Sequence, residues 1–388
     1  MFNILTLNKI SPVGLDNFDA SKYTYGDSIE KPDAVMVRSA SMHEMELPET
    51  VLAVARAGAG VNNIPVDKFT QQGVCVFNTP GANANAVKEL VVCGLLMSSR
   101  KVVKAIDWCK TLKDEGEQVG KLVEKGKSAF AGPEIKGKKL GVIGLGAIGI
   151  LVANAALSLG MEVYGYDPYL SVNAAWNLSR SVKHANSLSE IYEACDYITI
   201  HVPLTPSTKE MINKESISQM KNGVRILNFA RGDLVNTDDV VAALGEGKLA
   251  AYVTDFPSDK VIGVEGVIAI PHLGASTPES EENCAAMGAD ELIDYLENGN
   301  ITNSVNLPNV SMPRTSPTRI CIIHLNKPNM ISSITNIVSQ DGLNIDNFQD
   351  NNRGDYAYGV LDVGGDIDKK AVDDLKALDG VIRVRVIR

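Results

Sequence analysis

Lys139-Leu140-Gly141-Val142-Ile143-Gly144-Leu145-Gly146-Ala147-Ile148-Gly149 runs from an apolar stretch into the glycine spacing GxGxxG. The order predicts a strand, a tight turn and a helix start. The first glycine permits the turn, the second lets backbone approach a phosphate, and the third lets the helix lie close on the strand. The helix then turns its unbonded N–H groups toward the anion. A second apolar run, Met161–Tyr166, ends in Asp167 about twenty residues past the glycines, where a carboxylate reaches the ribose hydroxyls of a dinucleotide. That carboxylate would repel a 2′-phosphate, and Pro168, Tyr169 and Leu170 offer no arginine to receive one. The expected cofactor is therefore NAD rather than NADP.

Outward from this unit, apolar runs continue at Leu140–Ile143, Val163–Tyr166, Tyr197–Val202, Arg225–Ala230, Ala251–Asp255 and Val267–Ile270. They alternate with helical stretches and predict a doubly wound parallel sheet covered on both faces. Residues 1 to about 85 carry shorter runs at 3–7, 34–38, 51–55 and 74–77, the rhythm of a smaller βα sheet. A helix is expected from about Ala84, and another over about 279–299 would lead the chain back to the first lobe. That lobe would then be discontinuous, with the active cleft between the lobes. Three prolines in Asn306–Pro317 suggest a linker, and the residues after it spell βαββαβ, a ferredoxin-like order whose open edge invites a second copy. The expected division is 1–88 with 284–309, 89–283, a linker over 310–317, and 318–388.

With 388 residues, of which 45% are hydrophobic and 22% charged, the chain can build two or three globular domains. The start shows no secretory pattern and no run is long enough to span a bilayer, so a cytoplasmic protein is expected. Six scattered cysteines without a CxxC suggest neither a zinc site nor a disulfide framework, and no metal is expected. A net charge of −10 argues against nucleic acid as a partner.

Three residues fall at the ends of the later strands: Arg231 in Asn228-Phe229-Ala230-Arg231-Gly232, Asp259, and His272 after Pro271. Ligands of open α/β sheets bind at those carboxyl ends. Hydride transfer from a secondary alcohol requires a base for the hydroxyl proton, and imidazole suits it. A guanidinium can grip a carboxylate with two hydrogen bonds, and an acid beside the imidazole fixes its tautomer. His201, ahead of Val202-Pro203, suits the adenine side of the cofactor better than acid–base work.

On these motifs, together with Ala57-Gly58-Ala59-Gly60-Val61 and Pro271–Thr277, the chain resembles the D-2-hydroxyacid dehydrogenases. More narrowly it resembles those that carry a C-terminal ACT domain and oxidise D-3-phosphoglycerate in serine biosynthesis. The resemblance implies two Rossmann-like lobes plus a ferredoxin-like domain, with Arg231, Asp259 and His272 as catalytic residues. Aspartate stands at 259 where the family usually carries glutamate, one methylene longer, so its contact with His272 needs an adjusted loop, or else Asp255 shares the task. The implied cofactor contacts are Gly144, Gly146, Ala147, Ile148, Gly149 and Asp167 at the first turn. Beyond the next strands they are His201, Val202, Pro203 and Thr208, then Phe229, Ala230 and Arg231, and finally Asp255, His272 and Gly274.

The substrate carboxylate is expected on the backbone of Ala59 and Gly60, and the phosphate on Arg38 and Ser39, with Asn83, Arg231 and His272 also touching substrate. A phosphomonoester calls for such charged donors. Where many relatives carry a further arginine, Asn85 stands here. His324, Asn326 and Asn344 match serine-binding positions of the ACT domain, although Asn329 replaces a usual glycine. A homodimer or homotetramer is expected. The alternatives are a dehydrogenase of another D-2-hydroxy acid, such as glycerate or 2-hydroxyglutarate, and a dinucleotide sensor without turnover.

Overall fold

Short apolar runs in the first 83 residues pair into one parallel sheet. Its strands are β1 (Phe2–Leu7), β2 (Tyr23–Gly26), β3 (Ala34–Val37), β4 (Ala53–Arg56) and β5 (Cys75–Asn78), in the order β2-β1-β3-β4-β5. The computed structural model describes residues 1–388. β2 has no apolar run of its own. Tyr23 is buried against Phe2 and Phe18 while Thr24 and Tyr25 are exposed, so β2 is an edge strand whose one buried side chain is Tyr23.

The helix α1 (Ala84–Arg100) opens the second unit. There follow β6 (Lys139–Ile143), the helix α2 (Ala147–Ser158), β7 (Glu162–Tyr166), β8 (Lys183–His184), β9 (Tyr197–Ile200), β10 (Val224–Asn228), β11 (Leu249–Thr254) and β12 (Val267–Ala269). All seven strands are parallel, in the order β12-β11-β10-β9-β6-β7-β8. The order reverses between β6 and β9, and a reversal opens a crevice at the carboxyl ends of the strands. Two apolar clusters, one around Ile198 and Ile226 and one around Val142 and Val163, cover the two faces. β8, two exposed residues long, adds a seventh strand to the six that hydrophobicity revealed.

The helix α3 (Pro278–Asn298) returns to the first sheet, burying Cys284, Ala285, Leu292 and Tyr295 there. β13 (Thr318–Leu325), the helix α4 (Met330–Gln340), β14 (Ile345–Arg353), β15 (Tyr356–Val363), the helix α5 (Lys369–Ala377) and β16 (Val381–Ile387) form an antiparallel βαββαβ unit ordered β14-β15-β13-β16. Alternation along β13 sends Ile320 and Ile322 to the helices, and Cys321 and Ile323 into the cluster that also holds Tyr295 and Phe77. Both faces of the small sheet are thus covered. The segment over 310–317 is held in place, with Val310 paired to Ile301 and the Met312 N–H donating to Asn300 Oδ1 at 3.1 Å. Contacts divide the chain into 1–83 with 278–388, and 84–277.

Candidate functional site

The glycine turn after β6 is built as its spacing demands. Gly144 has φ +91°, and a Cβ there would lie 2.6 Å from the His201 carbonyl oxygen beyond β9, across the point where strand order reverses. A Cβ on Gly149 would meet the Gly144 oxygen at 1.9 Å, so α2 can press on the turn only with glycine. Gly146, in contrast, has open space where its Cβ would be. It caps α2 with no side chain bonded to the first turn, so the N–H groups of Ala147, Ile148 and Gly149 are left for an anion. Asp167 braces the turn: Oδ2 accepts from the Leu145 N–H and Oδ1 from the Tyr169 N–H, both at 2.8 Å.

At the end of β9, His201 Nε2 meets Thr199 Oγ1 at 2.9 Å while its buried Nδ1 has no partner. Burial pushes its pKa down to about 3, so the ring stays neutral. It cannot exchange protons near pH 7, consistent with a lining role. Val202 touches the Gly144 position, and the turn from Pro203 is closed by Thr208, whose hydroxyl donates to the Pro203 oxygen at 2.6 Å.

Beyond β10, Asn228 is buried and ties the Phe229-Ala230-Arg231 turn, donating to the Arg231 oxygen at 2.8 Å and accepting from the Ala230 N–H at 3.2 Å. Phe229 packs on Gly94 of α1. Arg231 itself is exposed, anchored by one hydrogen bond to the Ala230 oxygen. His272 is likewise exposed, its ring 4.8 Å from that of Phe256.

Of the two candidate acids, Asp255 is the one hydrogen-bonded to the segment that carries His272. Its Oδ2 accepts from the Gly274 N–H at 3.2 Å, and its buried Oδ1 has no partner. Burial raises its pKa, and the charges of His272 and then Arg231 oppose the rise, which puts the carboxylate in electrostatic reach of both. Asp259 is exposed on the segment after β11, and no hydrogen bond or ion pair engages it. The one-methylene shortening is therefore not made up by loop placement.

The residues expected at the substrate lie at the strand ends of the first sheet. Arg38 follows β3 and pairs with Glu281 in the first turn of α3. Asn8, at φ 68°, holds the Ser39 and Ala40 N–H groups on its Oδ1. In the loop after β4, Gly58 leaves room for the Arg56 guanidinium, and the Ala59 oxygen accepts from Asn78 Nδ2 at 2.6 Å. Gly60 follows, and Asn83 is half-buried just before α1. Asn85 is turned to Glu89. Nothing in the sequence signalled Glu281 or Asn78, because neither belongs to a spaced motif.

In the C-terminal unit His324 is closed off. Nδ1 donates to the Leu325 oxygen at 2.9 Å and Nε2 to Asp350 Oδ2 at 2.8 Å, so neither ring nitrogen is open to a ligand. Burial disfavours its charge, but the bonds to Asp350 and Leu325 outweigh this and raise the pKa. Asn326 lies just beyond the same end of β13, bonded to the Gly354 oxygen. Asn344 precedes β14 at the opposite end of the sheet, where Ile345 pairs with Val363, whereas His324 pairs with Ala357. One chain does not bring the three together. Asn329 accepts the left-handed turn at φ 68° that the absent glycine would have filled.

Residues 93–274 match the family model described as D-isomer specific 2-hydroxyacid dehydrogenase, NAD binding domain. The chain belongs to the D-isomer specific 2-hydroxyacid dehydrogenase family. Over 88% of its length it is 34% identical to the D-3-phosphoglycerate dehydrogenase of Haemophilus influenzae, of which it covers 83%. The human enzyme of that name is 36% identical over 74% of this chain and 53% of its own length. Among solved structures, an NAD+-bound 3-phosphoglycerate dehydrogenase from Entamoeba histolytica superposes with a TM-score of 0.62 at 26% identity, over 79% of this chain and 98% of that one.

Proposed function

We infer that this protein is an NAD-dependent dehydrogenase that oxidises D-3-phosphoglycerate to 3-phosphohydroxypyruvate. The observation that carries the reading is the strand-end set of Arg231, Asp255 and His272 in a sheet whose first turn leaves an anion-binding helix start open. The residues fit the dinucleotide. The uncapped turn of α2 suits its pyrophosphate, Asp167 a free 2′-hydroxyl, and the unpartnered Asp255 Oδ1 and His201 Nδ1 offer polar atoms at the same strand ends. When bound, the nicotinamide supplies the hydride acceptor.

The chain's own residues do the rest. Arg231 holds the substrate carboxylate, and its guanidinium polarises the reacting C–O bond. A ring nitrogen of His272 takes the hydroxyl proton. Asp255 stabilises the imidazolium that results, taking the role the family gives to glutamate, with Asp259 outside the set in this geometry. Arg38 and Ser39 receive the phosphate, for which Arg38 must exchange its partner Glu281.

Placement in the cytoplasm fits six cysteines that are all free. A homodimer or homotetramer fits the separation of Asn344 from Asn326, since a serine could touch both amides only between copies. Purified protein should oxidise NADH with 3-phosphohydroxypyruvate far faster than with hydroxypyruvate. No turnover, or equal rates on the two acids, would overturn the assignment.

A further inference from the structure

The turn that carries Arg38 is locked in its backbone and adjustable only in its side chains. Asn8 Oδ1 accepts from the Ser39 N–H at 3.1 Å and from the Ala40 N–H at 2.5 Å. Asn63 Nδ2 donates to the Ala40 oxygen at 2.8 Å and to the Arg38 oxygen at 3.4 Å, while the Asn63 oxygen accepts from the Met42 N–H at 2.8 Å. An anion arriving at this turn meets two peptide N–H groups already taken, on a chain that cannot slide toward it. The Ser39 hydroxyl and the Arg38 guanidinium are left to receive it. Arg38 Nη2, however, already donates to Glu281 Oε1 at 2.5 Å. Glu281 stands in the first turn of α3, which Ala285, Leu292 and Tyr295 bury on the same sheet, so the carboxylate is carried as firmly as the turn. Two fixed backbones thus hold one cation and one anion face to face. Each side chain is 41% exposed, where such a pair contributes little and opens readily.

We propose that Glu281 is a specificity-determining residue that competes with a dianionic phosphate for the Arg38 guanidinium, and so weakens binding of the phosphorylated acid selectively. The proposal rests on the reading above in which Arg38 receives the phosphate. Opening the pair leaves the carboxylate within a side chain's length of a group of its own sign, and only a phosphorylated acid brings that second charge. A plain hydroxyl end is not repelled and can donate to Glu281 instead. Glu281 therefore narrows the preference for phosphorylated over unphosphorylated acid that Arg38 creates.

Calorimetric titration with D-3-phosphoglycerate and with D-glycerate, both in the presence of NADH so that neither can react, reads this without turnover. Glu281→Gln keeps the size of the side chain and an oxygen for Arg38 but removes the charge. It should raise the ratio of the D-glycerate Kd to the D-3-phosphoglycerate Kd at least ~5-fold, nearly all of it through tighter phosphoglycerate. Glu279→Gln takes the same charge from the same helix turn without a bond to Arg38, and should move the ratio less than ~2-fold. The proposal is overturned if Glu281→Gln leaves the ratio unchanged or lowers it, which would make Glu281 an aid to Arg38, or if Glu279→Gln matches it, which would leave only net charge. Binding of neither acid to any of the three proteins would remove this proposal and the phosphate reading together. A parent that favours D-glycerate, with the gain in Glu281→Gln as stated, would sink the substrate assignment and keep Glu281 in this role. A parent that favours phosphoglycerate with an unmoved ratio does the reverse.

Discussion

Arg319 and Asp362 meet in a fork, Nε to Oδ1 at 2.7 Å and Nη2 to Oδ2 at 2.9 Å, with neither side chain reaching solvent. The remaining nitrogen, Nη1, donates to the Asn298 and Met312 oxygens at 2.8 and 2.9 Å, so this pair pins β13 to the end of α3. Burial opposes the charge on Asp362, yet Arg319 and the Thr315 N–H more than offset it and hold the carboxyl below its ordinary 3.8. Its share of stability is therefore present above that value and fades as pH falls through the lower folded one. Asp362→Ala strands a buried guanidinium and should cost about 3–5 kcal/mol in urea unfolding. The double change Arg319→Met with Asp362→Leu should recover most of it, and no recovery would show the pair to be more than a paired burial.

Gly146 and Gly149 separate cofactor binding from folding. Alanine at 149 would drive a methyl into the Gly144 oxygen, so Gly149→Ala should unfold the turn and lower the melting temperature along with activity. Gly146 has φ −77° and empty space at its Cβ, so Gly146→Ala should melt like the parent. Its methyl would instead occupy room needed by phosphate. KM for NAD should rise by roughly 10-fold or more, about 1.4 kcal/mol of binding. An unchanged KM would place the pyrophosphate elsewhere.

Asp255→Asn keeps the shape and removes the charge beside His272 and Arg231. It should lower kcat by about 100-fold or more, as when the acid behind a catalytic imidazole is neutralised. Asp259→Ala should stay within about 3-fold of the parent, since an exposed side chain without contacts has little to lose. Steady-state rates on both variants decide between the carboxylates. The reverse ranking would mean that the segment after β11 folds onto His272 during the cycle.

Much of this was legible beforehand, for reasons that differ by place. The strands of the nucleotide sheet announced themselves because burial on both faces demands continuous apolar runs, and the βαββαβ order followed from its own alternation. β2 and β8 were hidden, since an edge strand needs one buried residue, as β2 has, or none, as in β8. GxGxxG with Asp167 fixed the first turn because local spacing and local geometry coincide there. Asp255 against Asp259 could not be ranked, because four residues of irregular chain decide which acid faces the imidazole. The Glu281 partner of Arg38 and the Asp350 partner of His324 are tertiary meetings across 243 and 26 residues, on which local pattern is silent.

Glu291 on α3 offers a pH test. It is 8% exposed, Oε1 accepts from Asn303 Nδ2 at 2.8 Å, and Oε2 has no partner. Burial pushes its pKa from 4.5 up to about 8, against the Asn303 hydrogen bond that favours the ion. Between those values the folded protein binds the proton and the unfolded chain does not, so stability should fall as pH rises through that window. His324, with its raised pKa, tilts the curve the same way above about 6.5. Glu291→Gln supplies a neutral side chain of the same shape and isolates the carboxyl. At pH 8 the variant should be more stable than the parent by about 1–3 kcal/mol, with little difference at pH 4.5. Urea midpoints at both pH values measure this directly, and parallel curves for parent and variant would mean that Glu291 ionises in the folded protein with water or a cation for company.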